Sequence, residues 1–198
     1  MLKTSTSLGL LLFLFTFCAK SQNLENIAQS QYRISKIGSL TLGGWALANV
    51  GVGLSQLPKN SGKQHYFHQM NALRNTVNLG LATYGYFSAG KILQHHNLSD
   101  VLRSQIFLQQ VFLVNGALDA GYVMTGLYFN ERGKRMGNAK LEGYGNSLVL
   151  QGGFLLLFDA TLYLLHMHNY RNLIQHIEQL SFHFDPTGGV RLGLQIFL

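Results

Sequence analysis

Charge, proline and cysteine are all scarce in this sequence. Lys, Arg, Asp and Glu make up 12% of its 198 residues, about half the share usual in soluble domains. Proline occurs twice, while glycine occurs 22 times, a balance that suits membrane helices packed through small residues. The one cysteine, Cys18, lies in the N-terminal segment, so disulfide and thiol chemistry are absent once that segment is removed. Acidic residues are outnumbered 15 to 8 by Lys and Arg, for a formal charge of +7. Such a balance can mark a nucleic-acid binder. Here the first twenty residues read as an export signal, and an exported apolar chain leaves nucleic acid out as a partner. No GxSxG, P-loop, GxGxxG or HExxH motif occurs, and no spacing gathers Ser, His and Asp. The sequence therefore leans away from an enzyme.

What is present is apolar and segmented. Lys3 and the run Leu8–Phe17, LGLLLFLFTF, resemble the start and core of a secretory signal, too short to span a bilayer. Ala19-Lys20-Ser21 fits a small-x-small cleavage site. The expectation is a cleaved signal peptide over 1–21 and a mature chain from Gln22. A lipidated Cys18 is the lesser reading, because Phe17 before it is bulky.

Four apolar segments of about 20 or more residues follow, near Ile37–Leu57, Phe67–Gly90, Ser104–Phe129 and Gly143–Tyr170, each long enough to cross a bilayer as a helix. The third loop carries Arg132, Lys134, Arg135 and Lys140. An exported N-terminus puts this loop on the cytoplasmic side, where basic residues gather. The flanks have helical apolar spacing: Leu24, Ile27 and Ile34 before the first span, and Leu173, Ile174, Ile177 and Leu180 after the fourth. They read as amphipathic flanking helices. Beyond 180, a turn at Asp185-Pro186-Thr187-Gly188-Gly189 precedes alternating Val190, Leu192, Leu194, Ile196 and Leu198, the pattern of a β-hairpin. The expected architecture is an all-α membrane protein. It has a four-helix transmembrane bundle over 22–179 and a short C-terminal β-hairpin over 180–198. An outer-membrane β-barrel is the alternative, on the alternation of Leu40, Leu42, Gly44, Ala46, Ala48, Val50, Val52 and Leu54.

The polar residues inside these spans are the candidate site. With a rise of about 1.5 Å per residue, Arg74 and Asp119 come to similar depths and are expected to pair, ideally as an arginine fork on a carboxylate. Asp159, in GGFLLLFDATLYLLHMH, comes out about 10 Å from the depth of Arg74. Amides such as Asn49, Asn78 and Asn115 are its expected neighbours. Asn71, Asn75 and Asn78 share one helix face, as do Asp159, Tyr163 and His166. Such stripes face one another rather than lipid. The bland reading is polar glue between helices. The sharper one is a proton or ion path, since an intramembrane acid with no adjacent cation could carry a proton. His95, His96, His166, His168 and His176 fall on the outer side in this topology. They could hold haem or a metal ion, or simply anchor helix ends. Spacings of four between small residues, Gly44 and Ala48, Gly85 and Ala89, Gly116 and Ala120, and Ala117 and Gly121, suggest close packing or a homo-oligomer.

The runs GYGNSLVLQGGFLLLFD, Gly143–Asp159, and NALRNTVNLGLATYGY, Asn71–Tyr86, together with the signal segment, resemble an uncharacterised family of small bacterial membrane proteins. The resemblance implies a multi-helix envelope protein and carries no activity, cofactor or catalytic residue. Taken together, the sequence points to an integral protein of the bacterial inner membrane with both mature termini periplasmic; the outer membrane is the alternative. Its role would be structural or interactive, with the lipid bilayer and either a homo-oligomer or another membrane protein as partners. Ion translocation, or carriage of haem or metal, are the other readings.

Overall fold

A computed structural model describes the backbone over 3–94, 97–180, 182–184 and 190–192, and the side chains over 24–94 and 97–175. Four helices dominate: α1 (Lys3–Gln56), α2 (Gly62–Ser88), α3 (Leu98–Met136) and α4 (Ala139–Leu180). The segments expected to cross a membrane are helical, so the β-barrel alternative is set aside. Consecutive runs such as FLLLF leave no polar face for a barrel lumen.

The ends of the helices follow from local chemistry. Helix α1 stops before Pro58, which opens a single 3-10 turn, Leu57–Lys59, because the residue before proline is pushed out of the helical region. A second 3-10 stretch, Ala89–Gln94, follows α2. Helix α3 begins at Asn97, whose side chain accepts the backbone N–H of Asp100 at 2.8 Å. It ends at Gly137, in the left-handed conformation at φ 62°, where a residue without Cβ is favoured. Asn138 then accepts the backbone N–H groups of Lys140 and Leu141 and starts α4. The third loop is thus only a two-residue turn, and Arg132, Lys134 and Arg135 occupy the last turns of α3. There the cations complement the negative end of the helix dipole.

The amphipathic flanks are not separate helices. They continue α1 and α4 without a break, since no proline separates them from the spans. Gly38 is tolerated inside α1 because Leu162 packs against it; a Cβ there would come within 2.9 Å of the Leu162 Cδ1. The expected signal segment forms the first turns of α1 from Lys3. Phe182–Phe184 and Val190–Leu192 pair antiparallel. The expected turn at 185–189 and the end of the tail, 193–198, lie outside the described residues.

The helices run up, down, up and down. Gly53 of α1 meets Ala72 and Gly85 of α2 meets Ser39, so these helices lie antiparallel over a shared length. Helices α3 and α4 form a close antiparallel hairpin: Gly126 packs on the Gly145 carbonyl and Val149, and Gly133 on Glu142. At the end holding the first turn, Lys63 of α2 bonds Glu142 of α4 at 2.8 Å. At the opposite end, Ile27, Ala28, Val101 and Leu173 make a small apolar cluster.

The interior and the surface are inverted relative to a soluble bundle. Gln31, Asn71, Asn75, Gln105, Asp119, Ser147, Gln151, Asp159, His166 and Asn169 are buried, while Leu40, Leu73, Val77, Leu81, Met124, Leu157 and Leu164 stand exposed. Water would penalise that surface, whereas lipid matches it. Three helical segments, Leu24–Lys59, Leu98–Met136 and Ala139–Gln175, are long and apolar enough to cross a membrane. Helix α2 falls short of that standard, contrary to the expectation of four apolar spans, because its inward face spends Asn71, Arg74, Asn75 and Asn78 on the core.

Candidate functional site

Helix α4 supplies the axis of the site. Ser147, Gln151, Leu155, Asp159, Leu162, His166, Asn169 and Leu173 are all buried. Their steps of three and four are those of a single helix face. That face is turned slightly from the expected one, so Tyr163 and Tyr170 flank it half-buried.

Two polar groups are built on this face. The first joins α1, α2 and α4 through amides. The Trp45 indole N–H donates to Gln151 Oε1 at 2.9 Å, and the Trp45 ring stacks on Phe154 with centroids 3.7 Å apart. Gln151 Nε2 donates to Asn71 Oδ1 and, at 3.3 Å, to Asn49 Oδ1. Asn71 Nδ2 donates to Asn49 Oδ1 at 2.9 Å. Asn75 continues the ladder to the Asn71 carbonyl, and Asn78 Nδ2 donates to Asn75 Oδ1 at 3.3 Å. A ladder closed in this way is how buried amides in a low-dielectric interior are tolerated.

The second group holds the charges. Arg74 and Asp119 do meet, at 3.7 Å, but not as the expected fork. The guanidinium lies over the Tyr122 ring, 3.6 Å from its centroid, and its Nε has no hydrogen-bond partner. Stacking on the ring takes the orientation that a two-point bond to the carboxylate would need. Asp159 also departs from expectation. The α3–α4 hairpin sets it beside the Asp119 turn of α3, not against an amide. The reason is register: a Cβ on Gly116 would lie 4.0 Å from the Asp159 Cβ, and one on Gly152 would lie 3.1 Å from the Asp119 carbonyl. Two carboxylates facing each other in a low-dielectric interior repel when both are ionised. Asn115 is half-buried beside this pair in sequence and makes no side-chain hydrogen bond among the described residues.

Further along α4, His166 is fully buried and stacks on Phe112 at 5.4 Å. Neither ring nitrogen has a partner. Its backbone carbonyl accepts from Gln105. Asn169 donates to the Ile27 carbonyl at 3.2 Å, and Gln31 donates to Ser104 Oγ at 2.7 Å. The sequence reading passed over Gln31, Trp45, Gln105, Ser147, Gln151 and Asn169. For those on α4, extending the three-and-four spacing from Asp159 in both directions would have found them.

Of the candidate histidines only His166 and His168 have described side chains, and these two do not come together. His166 is buried and His168 exposed, as two residues two apart on a helix must be. His95, His96 and the His176 side chain lie outside the described residues. Among the described residues no group of three or more His, Cys, Asp or Glu could hold a metal ion.

The model of a family described as a family of unknown function, DUF6992, matches residues 41–160. That stretch contains the amide ladder, Arg74 and both aspartates, as well as the runs Asn71–Tyr86 and Gly143–Asp159. No curated protein and no solved structure matches the chain.

Proposed function

For this chain, which belongs to the DUF6992 family of unknown function, we propose an integral membrane protein whose four helices span an inner membrane of the bacterial envelope and whose core handles a proton. The observation that carries this reading is that the α3–α4 hairpin buries Asp119 and Asp159 at the same level of the core. Structural glue needs an arginine and one acid. A second acid beside the first adds repulsion unless a proton is held there, and a held proton can be exchanged. His166 is the next titratable group on the same face, seven residues and about 10 Å further along α4. The expected signal peptide is removed after Ser21, and both mature termini lie on the outer side. Exposed leucines and valines of all four helices meet lipid.

The test is proton uptake by proteoliposomes carrying an internal pH dye, under an imposed potential. Wild-type protein should acidify the lumen, and Asp159→Asn should bring uptake down to that of empty liposomes. Flux unchanged by Asp159→Asn would sink the relay. A second reading, a non-enzymatic structural or interaction module of the envelope, is favoured by the closed amide ladder joining three helices. It predicts no uptake by wild-type protein at all.

A further inference from the structure

A slot runs along the outward seam between α1 and α4, lined by Arg33, Ile37, Phe154, Leu157, Thr161 and Leu165 among others, with a volume of about 460 Å³. That is within the usual range for a small-molecule site. Its floor exists because Gly38 has no side chain and lets Leu162 approach α1. The deep end is walled by Phe154, stacked on Trp45 at 3.7 Å and on Phe158 at 6.1 Å. The walls are bare, with Ile37 62% and Leu157 72% exposed. The slot runs lengthwise from Arg33 to Thr41 on α1, about 12 Å, and from Leu165 to Phe154 on α4, about 16 Å.

The two ends differ in chemistry. Ser30 and Arg33 stand at the mouth; among the described residues no acidic side chain lines the slot and Arg33 has no ion-pair partner. Residues 37–57 carry no charge, so Arg33 sits where the uncharged stretch of α1 begins, at headgroup level. We propose that this slot binds one anionic phospholipid from the bilayer, with its phosphate on Arg33 and one acyl chain laid along the α1–α4 seam against Phe154. A cation at the mouth, an apolar trough of acyl length and an aromatic end wall select a charged head with a long tail. A second copy fits the slot less well. Two chains with the same membrane orientation would bring Arg33 to the same depth, with no acid in either slot to meet it.

Native mass spectrometry of the full chain, stripped of lipid and then offered dioleoyl phosphatidylglycerol or dioleoyl phosphatidylcholine, tests this. One phosphatidylglycerol should be retained per chain, about five-fold more than phosphatidylcholine, the preference expected of one arginine at an anionic surface. Arg33→Gln should erase the preference, whereas Arg132→Gln, at the other end of the bundle, should keep it. Thr161→Trp should fill the trough and remove the adduct with either lipid. A photoreactive acyl chain should label Ile37 or Leu165 in the wild type, which keeps the test decisive should Thr161→Trp fail to fold. Retention that ignores Arg33→Gln, labelling spread around the bundle, or a dimer that survives delipidation and is broken by Arg33→Gln would each overturn the proposal.

Discussion

At the scale of single residues, the arginine at position 74 is the most demanding group in the core. It faces Asp119 at 3.7 Å, lies over Tyr122, and leaves its Nε without a partner. Removing either charge strands the other in a low-dielectric interior, a change that costs about 3–5 kcal/mol in buried pairs. Arg74→Asp and Asp119→Arg should each cut the yield of folded protein sharply, read by fluorescence-detected size exclusion in detergent. The double swap should recover part of it. Recovery will be incomplete, because an arginine at 119 faces Asp159 and has lost its place over Tyr122. No recovery at all would show that the two charges do not depend on each other. This pairing was legible in the sequence, since two lone opposite charges in apolar helices have few other ways to be tolerated. The shared level of Asp119 and Asp159 was not found, although folding the chain about Gly137-Asn138 would have placed them opposite. Asp119 lies 19 residues before Asn138 and Asp159 lies 21 after it. Depths counted from the middle of each apolar run missed this, because apolar limits are blurred while a glycine turn fixes register.

At the scale of elements, the α3–α4 hairpin depends on backbone proximity. A Cβ on Gly126 would come within 2.8 Å of the Gly145 carbonyl and the Val149 N–H, and one on Gly133 within 2.9 Å of the Glu142 Cα. These are backbone atoms that cannot turn aside. Gly126→Val should therefore lower stability by more than the roughly 1–3 kcal/mol typical of overpacking, seen as a fall in melting temperature in detergent. Gly44→Val should be tolerated far better, since nothing lies within 4 Å of Gly44. Equal losses in the two variants would mean that glycine acts through helix propensity rather than contact. The contrast marks what sequence spacing could resolve. Glycines four apart suggested close packing, but of the residues so picked, Gly44 and Gly121 face open space. The working pairs, Gly126 with Gly133 and Gly145 with Gly152, are seven apart on the two arms of the hairpin. The helices themselves were legible as long apolar runs. Their continuity into the flanks was not, because amphipathic spacing at a span's end looks the same whether the helix breaks or goes on.

At the scale of the whole molecule, the question is whether α2 crosses the membrane. By composition it does not qualify, and three other segments do. Its surroundings argue otherwise. Between Gly53–Ala72 and Gly85–Ser39, α2 lies against α1 over the stretch where α1 carries no charge, so the two must share a depth. Its polar residues point inward, and the face it turns outward carries Leu73, Val77, Leu81, Tyr84 and Phe87, all more than half exposed. An average over such a helix understates the affinity of its outer face for lipid, because the amides are spent inside. The basic residues agree. Lys59, Lys63, Arg132, Lys134, Arg135 and Lys140 lie in or beside the first and third turns, which the Lys63–Glu142 bond places at one end. Topology reporters inserted at Asn60, Asn97 and Asn138 and after Leu198 separate the cases. With four crossings, 60 and 138 report the cytoplasm, and 97 and the C-terminus report the opposite side. If α2 lies along the surface instead, 60, 97 and the C-terminus report the cytoplasm and 138 reports the opposite side. That result would also remove the proton path, because Arg74 and the amides of α2 would then have to leave the depth at which Asp119 and Asp159 lie.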